Sequence, residues 1–138
     1  MTKDRRDDGP ERTAMAANKI IRIGPVALTT TLTTNILNPQ TLTGGVTTGT
    51  SNSNTYIVLR HIRIVNKTSS AATFSLYIGA TGSNTAGTEF MGIGQSVPAN
   101  SFVDWYGALR LDAADFLVGG AGTATALTLE GEGEIGIA

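Results

Sequence analysis

Glu130, Glu132 and Glu134 stand at alternate positions near the end of the sequence. On an extended segment such alternate positions share one face, with neighbours roughly 7 Å apart. That spacing is too wide for one ion to take all three. Glycosidases bracket a sugar with carboxylates at comparable separations, but they draw them from separate elements in a cleft lined with aromatics, which are only 6% of this chain. A calcium ion held with help from loop carbonyls is one alternative. A solvated acidic strip that discourages stray strand pairing is the simpler one.

The other reactive types are sparse. The single imidazole, His61, stands between Arg60 and Ile62. Alone it cannot assemble a nitrogen-rich metal centre, and in mid-strand beside arginines it reads as a half-exposed strand residue and not as a catalytic base. With no cysteine, disulfides, thiol nucleophiles and thiolate metal sites are excluded. Gly44-Gly45 and Gly119-Gly120-Ala121-Gly122 lack the Lys-Ser/Thr and helix of a phosphate loop. Asp112 and Asp115 bracket two alanines, a spacing that suits Asx-type turn hydrogen bonds. Trp105 and Tyr106 could stack on a sugar, although a sandwich Trp more often packs in a core. The expectation is a non-enzymatic protein with no metal and no cofactor.

The elements that carry these residues read as strands throughout. In the last segment Thr128, Glu130, Glu132 and Glu134 alternate with Leu127, Leu129, Gly131, Gly133 and Ile135, the period of a half-buried strand. Alternation also predicts a long strand over Val26–Ile36, ended by Asn38-Pro39, and a hairpin partner over Phe74–Ile78. Tyr56–Asn66 reads as a strand that is apolar on both faces. Shorter strands are expected over 89–93, 102–106 and 116–118, and residues 40–55 form a Thr/Gly/Ser/Asn loop. The predicted fold is all-β, a single antiparallel β-sandwich of seven to eight strands, jelly-roll-like, with no helix longer than about two turns. Its predicted core contains Leu28, Leu32, Ile62, Ile64, Phe74, Leu76, Ile78, Phe102, Leu109, Leu127 and Leu129. Residues 1–18 form a charged N-terminal arm that cannot fold alone, and residues 19–138 form the sandwich domain.

Charge is segregated along the chain. Residues 13–67 carry Lys19, Arg22, Arg60, Arg63 and Lys67 with no acidic residue, whereas residues 68–138 carry seven acidic residues and only Arg110. Either Arg60 and Arg63 pair with the glutamate row inside one sheet, or Arg60, Arg63, Glu130, Glu132 and Glu134 meet other subunits. Dispersed cations without an aromatic platform do not make a nucleic-acid site. No apolar run approaches a membrane span. No apolar h-region follows the charged start, so synthesis in a cytoplasm without a signal peptide is expected.

From Leu59 to Leu111 a set of motifs follows in order. An aliphatic strand ends in Asn (Ile62-Arg63-Ile64-Val65-Asn66). A Thr/Ser/Ala turn then leads to an alternating strand (Thr68 to Gly79), and Val97-Pro98-Ala99-Asn100 turns into the strand bearing Trp105. Leu109-Arg110-Leu111-Asp112 closes the series. The stretch resembles the small Thr/Gly/Ala-rich β-sandwich virion proteins of tailed bacteriophages. The resemblance implies a structural role without catalysis, foremost as a capsid decoration protein and secondly as a tail or baseplate subunit. It further implies the major capsid protein and other copies of the chain as partners, with a trimer favoured. Lys3, Arg5, Arg6 and Arg12 of the arm would then contact the shell. A carbohydrate-binding module using Trp105 and Tyr106 is the expectation from a different class.

Overall fold

The computed structural model describes residues 18–40 and 55–137. The arm cations Lys3, Arg5, Arg6 and Arg12, and most of the 40–55 loop, lie outside the described residues. Among the described residues there is no helix. The strands are β1 (Lys19–Ala27), β2 (Asn35–Leu37), β3 (Thr55–Asn66), β4 (Ala72–Gly79), β5 (Glu89–Val97), β6 (Ser101–Leu111), β7 (Phe116–Ala121) and β8 (Leu127–Ile137). They form two four-stranded sheets, ordered β1-β8-β3-β6 and β2-β7-β4-β5. Every pairing is antiparallel.

Inward residues of both sheets make one core, including Ile23, Leu37, Ile57, Leu59, Leu111 and Leu117 at 0% exposure. Of the expected core, Leu28, Ile62, Ile64, Phe74, Leu76, Leu127 and Leu129 are buried. Ile78 and Leu109 are partly buried against it, and Leu32 is half-buried. Phe102 corrects the expectation, because it is 50% exposed. On β6 the inward positions are Val103, Trp105, Leu109 and Leu111, so strict alternation turns Phe102 to solvent.

The long strand expected over Val26–Ile36 is two strands with a crossover between them. β1 ends at Ala27 in the first sheet, and β2 begins at Asn35 in the second. Leu28 still donates to the Leu127 carbonyl at 2.9 Å, whereas the Thr29 and Thr34 carbonyls accept from Ala121 and Gly119 of the other sheet at 2.7 and 3.0 Å. The threonines fold the strap on itself. Thr34 donates its N–H and its hydroxyl to the Thr31 carbonyl at 3.1 and 2.7 Å. Threonine hydroxyls offer the backbone such local partners, and here they outcompete the ladder despite a strand-like pattern.

β3 is not apolar on both faces. Ile57 and Leu59 point inward, then Ile62 and Ile64, and this switch of parity marks a β-bulge between Leu59 and His61. The bulge leaves Arg60 and His61 both on the outer side. Gly131 and Gly133 of β8 lie against it, where a Cβ at Gly131 would strike the His61 carbonyl and one at Gly133 would approach the Val58 carbonyl oxygen to 2.5 Å. Glycine is therefore required where the bulged strand crowds its neighbour.

Asn66, at 1% exposure, ends β3 and is fully used. Its amide donates to the Ser70 and Val97 carbonyls at 2.9 and 3.0 Å, and its oxygen accepts from the Thr68 N–H and hydroxyl at 2.9 and 2.7 Å. One side chain thus shapes the β3–β4 turn and ties it to the end of β5.

Candidate functional site

The sandwich concentrates its charged side chains on the outer face of the β1-β8-β3-β6 sheet. Register sets them in rows across the strands. Arg22, Glu132, His61 and Tyr106 lie side by side, and in the next row Glu130, Arg63 and Asp104 do the same. The glutamate row read from period two is real, since the partners of these positions on the other face, Leu129 and Ile135, are buried.

Asp104 is the hub. Arg63 donates Nε to Asp104 Oδ1 at 2.7 Å and Nη2 to Oδ2 at 3.0 Å, a two-point geometry specific to arginine and carboxylate. His61 Nε2 reaches the same Oδ1 at 2.8 Å. The hydrogen bonds from Arg63, then His61, lower the Asp104 carboxyl from its ordinary 3.8 to about 2. Aromatic rings hold both partners of the carboxylate in place. The His61 ring stacks on Tyr106 with centroids 4.5 Å apart, and the Arg63 guanidinium lies 4.2 Å above Phe102.

A second cluster sits towards the other end of the sheet. Arg60 donates Nε and Nη2 to Glu134 Oε2 at 2.9 and 2.7 Å. Asn18 adds an amide to Glu134 Oε1 at 3.4 Å and accepts from the Tyr56 hydroxyl at 3.0 Å. Arg60, followed by Asn18, holds the Glu134 carboxyl below its usual range. Arg60, Arg63 and Glu134 are therefore paired inside the chain. Glu130 and Glu132 have no hydrogen bond or ion pair among the described residues.

A shallow groove of about 430 Å³ runs between β1 and β3 over β8, lined by Ile20, Arg22, Pro25, His61, Glu130 and Glu132 among others. His61 with Asp104 has the form of a base and its orienting group, but the groove lining includes no serine, threonine or cysteine to activate. The described residues contain no group of three or more His, Cys, Asp or Glu side chains placed to hold a metal ion. The arrangement can bind charged partners and resist shear across its own strands. Asp112 and Asp115 lie in a turn, but the bond between them is the Asp112 N–H donating to Asp115 Oδ2 at 2.9 Å, which runs backward along the chain where the expected Asx-type bond runs forward.

The two-ring sugar platform is not formed. Trp105 faces inward, edge-on to Phe90 of the other sheet with centroids 5.1 Å apart, while Tyr106 faces solvent at 70% exposure. Adjacent strand residues point to opposite faces and cannot share one ligand. Asp104, the centre of the network, was not among the residues singled out from the sequence. Its signal lay in the parity of Phe102, Asp104 and Tyr106 against Arg63 and His61, which needs the β3–β6 register to read.

Comparison of the chain with protein-family models, curated proteins and solved structures finds no match.

Proposed function

We propose that the protein is a non-enzymatic structural subunit of a tailed-bacteriophage virion, a decoration protein that binds the outer surface of the capsid and stabilises it. The observation that carries this is the strand order, β1-β8-β3-β6 facing β2-β7-β4-β5. We read that order as a jelly roll, the architecture used by viral capsid domains, lectins and cupins. The residues favour one of those uses. A cupin-type centre gathers imidazoles inside the barrel, but His61 faces outward and the inward positions of β3 beside it are aliphatic. A lectin needs a stacking platform, and Trp105 and Tyr106 diverge. A structural role asks only for a sheet that keeps its shape, which the Asp104 and Glu134 networks favour.

Mass spectrometry of virions purified by sedimentation tests the proposal. The expected result is the protein in a copy number that matches sites on the shell lattice. A copy number matching tail symmetry would move it to the tail, and absence from the particle would overturn the proposal.

A further inference from the structure

The sandwich has four edge strands among the described residues, and three carry features that block strand addition. β1 is broken by the bulge at Gly24-Pro25. β2 is only three residues long. β5 is bent by Gly92 and Gly94, both at positive φ, with two register shifts against β4. β6 is the longest of the four. Its pairing with β3 shifts register once, where Tyr106 and Leu109 stand opposite His61 and Leu59, but its eleven residues contain no proline and no lysine, and Val103, Trp105, Leu109 and Leu111 keep one face across the shift. Beside this open edge stand Phe102 and Tyr106, at 50% and 70% exposure.

We propose that β6 is a self-association edge, on which a second copy of this chain adds its own β6 antiparallel about a two-fold axis at Tyr106. The occupant follows from the strand's complementarity to itself. Tyr106 is the central residue of Ser101–Leu111, so this axis pairs the strand over its full length. On the outer face it sets Tyr106 opposite Tyr106, Phe102 opposite Arg110 of the second copy, and Asp104 opposite Ala108. Aromatic pairs and cation–aromatic pairs are favourable across strands, and no like charges meet. An axis at Asp104 would set that carboxylate against itself, and one at Ala108 would set it against Asp112. On the inner face Val103 meets Leu109, and the Trp105 ring meets Gly107, where there is no side chain to obstruct it. The product is one continuous sheet crossing both copies, with an isologous interface. An edge contact of this kind is slender, so the dimer dissociates on dilution.

This inference is independent of the virion proposal and replaces the expected trimer. The segregated charges that could meet other subunits are in part satisfied within one chain, by Arg60 with Glu134 and Arg63 with Asp104.

The test uses the full chain, whose lack of cysteine makes single-cysteine variants unambiguous. Sedimentation equilibrium over a concentration series should show reversible conversion to twice the 14.3 kDa chain mass. Tyr106→Cys should form a disulfide dimer under mild oxidation, and Ile20→Cys, equally exposed but on the opposite edge, should not. Tyr106→Lys, which brings two cations together at the axis, should weaken association at least tenfold, while Tyr106→Phe should preserve it. Tyr106 is exposed, so circular dichroism of these variants should match the parent chain. A monomer at all concentrations, a trimer, equal cross-linking from Ile20→Cys, or undiminished association of Tyr106→Lys would each overturn the proposal.

Discussion

Asp104 and Asn66 show two ways in which one side chain organises a sheet. Asp104 gathers Arg63 and His61 across the β3–β6 seam, and its folded pKa near 2 lies below its ordinary value. A carboxylate with a depressed folded pKa contributes fully above its unfolded pKa, about 4, and its contribution is lost as pH falls through about 2. Urea midpoints should therefore fall between about pH 4 and pH 2 in the parent chain, and the fall should be shallower in Asp104→Asn. Glu134, lowered by Arg60 and Asn18, adds to the parent's loss with the same sign. Asn66 acts by geometry alone. Asn66→Ala removes four hydrogen bonds at a buried position, and urea denaturation should register a loss of about 2–4 kcal/mol.

At the scale of the strand, the β3–β8 pair is the element on which the outer face depends. Its bulge turns Arg60 and His61 to the same side, and Gly131 and Gly133 give it room. Gly131→Ala should destabilise the fold by more than about 2 kcal/mol, whereas Glu132→Ala on the opposite face should change stability by less than about 0.5 kcal/mol. A comparison of their denaturation midpoints checks both. Strand identity was legible wherever one face is buried, as in β8, because burial imposes period two. The bulge was legible in principle, since Ile57 and Leu59 differ in parity from Ile62 and Ile64. The crossover at Leu28–Thr34 was not, because threonine suits a strand and a hydroxyl-bonded strap equally well. Phe102 was misplaced because an aromatic beside Val103 resembles core until the register puts Arg63 over it. The site was less legible than the fold, since Asp104 gains its role only from residues some forty positions away.

At the scale of the whole molecule, the described residues form two four-stranded sheets that close over one core. The outer face of the first sheet is stiffened by its own ion pairs, and the proposed capsid role gives the N-terminal segment an anchoring part. Deleting residues 1–14 should leave the melting temperature nearly unchanged. The same deletion should weaken binding to empty capsids, and raised salt should weaken binding of the full chain, since exposed ion pairs are screened. Electron cryomicroscopy of the virion is the most direct test of where the protein acts. Density for the β-sandwich on the outer surface of the shell, repeated at lattice symmetry, is the predicted result. A shell with no such density, or the sandwich found only in the tail, would contradict it.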